Sequence, residues 1–377
     1  MGGATLYSVS FAISSGLLDG LGSILPQPLR AWVTNGDLIL GLAVLIFGAI
    51  LLGASMINTI VLIWWERKLL GRFMDRRAAM HVGYAGILQN FADGLKLFRK
   101  NTFRPKEADS LGFYSGPVAY MVTSLIIFGI LPISSGWNSG ALPLSLLLAL
   151  AIFSFAPLFI FVSAWSSNNK YSLMGGMRSA AQMIAYEVPL LLAVVAVVVV
   201  SGSFDLSTIV YEQQNYWFWG PLVVALIVFV AGMLAEMERI PFDLPEAEAE
   251  LVEGWNTEYG GMLFAFFMLA DYLRALVGSI LVVLLFLGGW TMPSWVPSAA
   301  TSFPLAGIVW FMVKTYAVFG LFVWIRASLP RVRTDQLLRI GWNRMIPLSL
   351  ASVFLAAVLV MVRCLPVFGC LPSAPGV

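Results

Sequence analysis

The amino-acid sequence predicts an all-α, polytopic integral membrane protein, with about eight transmembrane helices plus an amphipathic interfacial helix. Of its 377 residues, 59% are hydrophobic and only 11% are charged, against about 25% charged in an ordinary soluble chain. Apolar runs long enough to cross the hydrocarbon core, which takes about 20 residues as a helix, recur along the whole length. Within them the apolar residues are continuous, without the period-two alternation of a β-barrel strand. No fixed-period repeat, low-complexity tract or Pro/Gly-rich linker marks off a second unit, so residues 1–377 read as one membrane domain.

In order, the predicted spans run Leu38 to Trp65, Ser115 to Ser134, Pro143 to Ala164, Gln182 to Ser201, Phe218 to Glu238, Gly261 to Leu287, Leu305 to Ile325 and Met345 to Val362. Together they make a transmembrane bundle over residues 38–365. Before it, Tyr7 to Leu25 is moderately apolar but interrupted by Asp19 and several glycines, and no basic stretch precedes it. Residues 1–36 therefore read as an interfacial segment and not as a cleaved leader.

Charge placement orients the bundle. Most of the 22 lysines and arginines fall in alternate connections: Arg67 to Lys106, Lys170 to Arg178, Arg239, and Arg326 to Arg344. By the positive-inside rule these face the cytoplasm or matrix, and both termini point to the outer, periplasmic-type side. The net charge of +2 offers no argument for nucleic-acid binding. One histidine, His81, and two cysteines, Cys364 and Cys370, cannot by themselves build a four-cysteine iron–sulfur site or a bis-histidine haem. The cysteines read as unpaired membrane thiols, or as a disulfide if their end faces an oxidising side.

Between the first two spans, Ile87, Leu88, Phe91, Leu95 and Phe98 fall on one helical face, and Gln89, Asn90, Asp93, Lys96 and Arg99 largely on the other. This spacing predicts an amphipathic helix over Gly86 to Lys100, lying in the membrane interface or merely touching anionic lipid through its basic edge.

The connection after the fifth span, ERIPFDLPEAEAELVEGWNTEYGG, crowds Asp243, Glu246, Glu248, Glu250, Glu253 and Glu258 beside one arginine, Arg239. Crowded carboxylates resist simultaneous ionisation and so can hold and pass protons. The same charge also suits a solvated loop or a docking surface for a basic partner. Pro241 and Pro245 keep its start from forming a regular helix.

Within the spans, Glu187, the Asp271 and Arg274 pair at i, i+3, and Lys314 each need a reason, because a charge at the bilayer centre costs about 2.5–3.5 kcal/mol on insertion scales. Asp271 and Arg274 suit either a self-compensating pair or a functional one. Glu187 has no cation near it in sequence, which points to a proton relay. Glu66 emerges from the first span ahead of Arg67, Lys68, Arg72, Arg76 and Arg77; a positive-inside anchor explains these cations, but Glu66 calls for a polar mouth to a membrane cavity.

Six ordered stretches carry a resemblance: ERKLLGR at Glu66, GILQNFADGLKLF at Gly86, NNKYSLMGGMRSAAQMIAYE at Asn168, ERIPFDLPEAEAELVEGWNTEYGGM at Glu238, LFLGGW at Leu285 and RASLPRVRTDQLLRIGW at Arg326. Over roughly Glu66 to Leu348 they resemble the H subunit of respiratory complex I. The resemblance implies a membrane-arm component of a proton-pumping quinone oxidoreductase in an energy-transducing membrane. Such a component forms the membrane side of the quinone-reduction chamber and an acidic path that couples quinone reduction to proton translocation.

Carried over by motif position, Glu66, Arg67 and Arg76 line the chamber, and Asp243, Glu246, Glu248 and Glu250 lie on the loop beneath it. Glu187, Glu236, Arg239 and Asp271 continue into the membrane. The quinone-side loops are then 66–114, 165–181, 239–260 and 326–344. Quinone is the substrate, with no covalently bound cofactor. The resemblance further implies iron–sulfur clusters on partner subunits, and as partners both cluster-bearing peripheral subunits and antiporter-like membrane subunits, besides membrane lipid.

Two departures stand out. The family's Arg-x-Gly-Pro-Asn-Arg stretch reads Arg76, Arg77, Ala78, Ala79, Met80, His81 here, and Asp271 stands where glutamate is usual. Energy-converting hydrogenases and formate hydrogenlyase contain a related membrane component, but the TEYGG, FFMLADY and LFLGGW stretches resemble the quinone-linked branch more. A free-standing ion or proton antiporter, suggested by Glu187 and Lys314, lacks a visible inverted repeat. A passive anchor for peripheral subunits leaves the buried charges without a purpose.

Overall fold

The computed structural model describes residues 36–134, 143–214, 216–246, 248–292 and 306–363. The interfacial segment expected at the N-terminus, Cys364 and Cys370 lie outside these residues. Every predicted span is matched by one helix, or in the third case by two. Among the described residues seven helical segments are long and apolar enough to cross a membrane, and an eighth, at the fifth predicted span, is shorter.

Helix α1 (Gly36–Phe73) continues past its apolar run and carries Glu66, Arg67 and Lys68 on its last turns. The amphipathic prediction is realised as α2 (Gln89–Arg99). Its apolar Phe91, Leu95 and Phe98 are exposed, as a membrane interface requires. Its polar residues do more than meet water: Asn90 Nδ2 donates to Ile60 O at 2.7 Å and Arg67 pairs with Asp93 at 2.7 Å, docking α2 on α1. The Arg67 guanidinium and the other donors to its carboxylate outweigh the cost of partial burial and hold Asp93 below the usual range.

Helix α3 (Ser110–Ile130) is capped by Asp109, whose side chain accepts from Leu111 N. The third predicted span is two helices, α4 (Ser145–Phe153) and α5 (Ala156–Ser166), with Pro157 opening the second. Gly112 and Gly116 of α3 let α5 approach closely, since a Cβ at Gly116 would collide with Ser163 Oγ. Helix α6 (Lys170–Ser201) begins well before the predicted Gln182, because Asn169 caps it by accepting from Tyr171 N. It ends at Gly202, whose φ of 70° forms a left-handed cap. Helix α7 (Leu206–Glu212) is capped by Asp205.

Helix α8 (Val223–Glu236) falls short of the Phe218 to Glu238 span predicted for it. The apolar run continues, but the backbone does not: Trp219 N donates to Phe286 O and Glu238 turns through a positive φ of 51°. Phe218 and Leu222 are buried at one end, with Trp219 exposed between them, and Met237 and Glu238 are buried at the other, where protein shelters the non-helical backbone. The acidic connection holds one short helix, α9 (Glu248–Leu251), and a 3₁₀ turn at Gly254–Asn256.

Helix α10 (Gly261–Phe286) is buried nearly all round and forms the axis of the bundle, packing on α3, α8 and α11 (Ala306–Ser328). Helix α12 (Thr334–Ile340) runs through a π-helical turn at Gly341–Met345 into α13 (Ile346–Arg363), which packs on α6. Pro347 lacks the N–H that a regular turn would use there, and the wider turn accommodates it.

Lys314, intramembrane in sequence, is a structural clamp. Its Nζ donates to three carbonyls, Leu287 O (2.6 Å), Gly289 O (2.9 Å) and Thr291 O (2.8 Å), at the C-terminus of α10 and the turn that follows. A cation there also offsets the negative end of the helix dipole. Lys314→Met strands these acceptors, with an expected cost on the order of 3 kcal/mol, read as a lower unfolding midpoint of the detergent-purified protein.

A polar chamber at one end of the bundle

The ends of α1, α6, α8, α10 and α11 and their connections meet at one end of the bundle. There a cavity of about 240 Å³ is lined by Glu238, Arg239, Asp243, Glu246, Glu253, Asn256, Asp271, Tyr272 and Arg326, with Met237, Ile240, Phe264 and Met268 between them. Glu66 stands just behind this wall. It is buried, and its Oε1 accepts from Arg239 at 3.1 Å and also from Arg326. One carboxylate thus holds two guanidiniums against the cavity, and Arg239 stacks over the Tyr272 ring at 4.5 Å.

The acidic connection reaches this wall because it folds back on itself. Gly254 adopts a φ of +59°, and a Cβ there would collide with Pro245 O. Ser172 Oγ donates to Trp255 O at 3.0 Å, and Asn256 Nδ2 to Glu246 at 3.2 Å, which tie the loop to α6 and aim Glu246 inward. Gly254→Ala is expected to cost on the order of 3 kcal/mol, measurable as a lower unfolding midpoint together with faster proteolysis between Asp243 and Glu258.

Burial drives the electrostatics of the loop. It pushes Glu246 well above the usual carboxylate range, and the neighbouring Asp271, Glu238 and Asp243 add to the shift. Asp243 is also raised by burial, against the pull of Arg331, which donates to it at 2.9 Å. Glu238 lies beyond the end of α8. Burial, with repulsion from Asp271 and Asp243, raises it to about 8 despite donors from Ser179 and from Trp255 Nε1. Burial thus favours the protonated form of all three carboxyls.

The predicted site residues other than Arg67 and Glu248 divide into three sets; Arg67 is turned to Asp93 on α2 and does not line the chamber. Glu66, Arg239, Asp243, Glu246 and Asp271 gather at the chamber. Glu236 and Glu187 lie deeper: Glu236 pairs with Arg274 at 3.3 Å, and Glu187 accepts from Ser154 Oγ. Arg76 is exposed on the turn after α1, His81 is exposed beyond it, and Glu250 is exposed and paired with Arg178 at 2.6 Å. Glu248 opens α9. The self-compensating Asp271 and Arg274 pair is not what forms, because Arg274 goes to Glu236 on α8 while Asp271 accepts from the Tyr120 hydroxyl at 2.7 Å. Sequence reasoning passed over Glu238, Tyr120, Tyr272 and Arg326. Glu238 and Arg326 open two of the recognised stretches at helix ends, which was the available signal.

A second cavity, about 440 Å³ and almost wholly apolar, lies between α1, α2 and α10. Met56, Ile60, Phe91, Phe98, Met121, Met262 and Phe266 line it, with Arg67 and Asp93 at its edge. Met268 belongs to the walls of both cavities.

A family model described as NADH dehydrogenase matches residues 46–357. The chain is 39% identical to the H subunit of NADH-quinone oxidoreductase from Bacillus cytotoxicus, over 86% of its own length and 95% of that protein. It is likewise 39% identical to the H subunit from Paramagnetospirillum magneticum, over 84% of the chain and 91% of that protein. To the one from Rhodospirillum centenum it is 40% identical, over 80% and 89%. The chain belongs to the NADH dehydrogenase family, the family of the H subunits of NADH-quinone oxidoreductase.

Proposed function

We propose that the chain is the membrane wall of the chamber in which a multi-subunit, NADH-driven oxidoreductase reduces quinone, and that it carries the first carboxyls of a proton path into the membrane. The observation that carries this reading is the adjacency of two unlike cavities through Met268. A quinone is a polar ring on an apolar tail and needs both. The tail lies along Phe91, Phe98 and Met262, and the ring enters among Arg239, Arg326 and Tyr272, which donate to its carbonyls. Reduction to quinol consumes two electrons and two protons. The protons come from the chamber carboxyls, among which Glu246, Glu238 and Asp243 are raised.

The chain's single histidine and two cysteines supply no cluster of their own, so electrons arrive from iron–sulfur clusters on peripheral partner subunits docked at the chamber end. Antiporter-like membrane subunits pack along the exposed apolar flanks and receive the coupling through Glu187 and Glu236. The basic residues gathered around the chamber favour the cytoplasm or matrix for this end, and the outer side for both termini. An independent antiporter is less well supported, because Lys314 is spent on clamping α10.

Met268→Trp tests the proposal by filling the passage between the cavities. In the assembled oxidoreductase it is expected to lower kcat/KM at least tenfold for a long-tailed quinone and less for a short-tailed one. Wild-type rates with both quinones would exclude this route.

A further inference from the structure

Arg274 occupies a place that a proton path would not by itself require. It is a fully buried cation set among the carboxyls. Its Nη2 donates to Glu236 at 3.3 Å and its Nη1 to Phe153 O at 3.1 Å. The guanidinium stacks on the Phe153 ring at 3.8 Å and lies 5.6 Å from the Tyr120 ring, whose hydroxyl holds Asp271. The arrangement is underused: Arg274 Nε and the second oxygen of Glu236 are buried without a protein partner. A guanidinium has five donors in a fixed fork, and two of them are engaged here.

The charged and titratable groups around it come from four helices: Tyr120 on α3, Glu187 on α6, Glu236 on α8, with Glu238 beyond its end, and Asp271 on α10 itself; α4 contributes only the carbonyl and ring of Phe153. Asp271 lies one turn earlier on the same helix, the direction in which helix side chains lean, so it is within reach of Arg274 although the structure pairs Arg274 with Glu236 and Asp271 with Tyr120. Arg274 therefore has two carboxylates within the sweep of one side chain, Glu236 across the helix interface and Asp271 along its own helix. A proton crossing directly from one to the other is repelled by the guanidinium that the two carboxylates share.

We propose that Arg274 is a positioning residue that passes charge, and not a proton, between the chamber and the deeper carboxylates. When Asp271 gives up its proton toward the chamber, its new negative charge draws the guanidinium from Glu236. Glu236, left without its cation in a low-dielectric interior, takes up a proton from the Glu187 side. One proton leaves Asp271, one arrives at Glu236, and one positive charge moves the opposite way, so the exchange is electroneutral within the bundle. Reprotonation of Asp271 returns Arg274 to the position in the structure, and Glu236 releases its proton to the Glu187 side, so the deeper carboxylates are discharged and recharged in step with Asp271. This rests on the proposed function, which supplies the event that deprotonates Asp271.

Infrared difference spectra of the assembled oxidoreductase, quinone reduced minus quinone oxidised, read both carboxyls at once, with Asp271→Asn and Glu236→Gln assigning the bands. The expected result is a loss of the protonated-carboxyl band of Asp271 together with a gain at Glu236. In Arg274→Gln the loss at Asp271 remains, the gain at Glu236 disappears, and protons pumped per electron fall at least twofold. Arg274→Lys, which keeps the charge, retains the pair of bands. No gain at Glu236 in the native protein overturns the relay even if Arg274→Gln fails to assemble, and so does an undiminished gain in assembled Arg274→Gln. The two levels separate cleanly. Normal pumping by Glu236→Gln removes the acidic path itself, whereas lost pumping there with a native ratio in Arg274→Gln removes only the relay.

Discussion

Glu66→Gln is expected to lower quinone reduction by the assembled oxidoreductase at least tenfold. Glu66 is 2% exposed and accepts from both Arg239 and Arg326. Removing one partner of a buried ion pair typically costs about 3–5 kcal/mol, because it leaves a charge without compensation. Here two guanidiniums that already line the cavity where the quinone ring is proposed to sit lose the carboxylate that holds them in place. The substitution therefore removes the shape of the chamber wall along with its charge balance. Glu66→Gln combined with Arg326→Gln relieves the repulsion and should recover part of the unfolding midpoint while leaving turnover low. A native rate in the single variant would mean that the cavity behind Glu66 takes no part in the reaction.

The second large effect is on pH dependence. Glu238 is raised by burial from 4.5 to about 8, so the folded protein binds a proton there that the unfolded chain has already lost. A group with a raised folded pKa contributes stability that is fully present below its unfolded value and is lost as pH rises through the folded one. The unfolding midpoint of the purified protein should accordingly fall by several degrees between about pH 5 and pH 8. Glu246 and Asp243, raised by the same cause, act in the same direction. Glu238→Gln should flatten the curve and raise the midpoint at its alkaline end. A carboxamide suits the site, since its oxygen can accept from Trp255 while its amide donates to Ser179. An unchanged slope in Glu238→Gln would assign the pH dependence to other groups.

Much of this was legible in the sequence, and for a physical reason. Lipid offers backbone groups no partners, so each crossing must be helical and must announce itself by length. The break came where protein replaces lipid. The stretch Phe218 to Leu222 reads as part of a span although it carries Gly220 and Pro221. There the backbone turns, with Phe218 and Leu222 buried and Trp219 N donating to Phe286 O, a contact far away in sequence. Charge density alone marked the acidic loop as important but did not sort its members. Glu250 is turned outward to Arg178, and Glu246 inward toward the chamber. The i, i+3 spacing of Asp271 and Arg274 suggested a local pair, and only the packing of α8 against α10 supplied the competing carboxylate of Glu236. Lys314 misled for a related reason: an intramembrane cation implies a polar partner, but sequence does not reveal that the partners are three backbone carbonyls.

The apolar cavity has a property that its volume does not convey. Met56, Met121, Met262 and Met268 supply much of its lining, and the wall shared with the chamber is one of them. Thioether chains are unbranched and polarizable, and they refill space around whatever lies against them. A surface of this kind holds an isoprenoid-like tail without measuring it. On the proposed reading, discrimination among quinones then falls to the rigid, ion-paired ring of Arg239, Arg326 and Tyr272, and the length of the tail governs residence in the membrane more than fit to the protein.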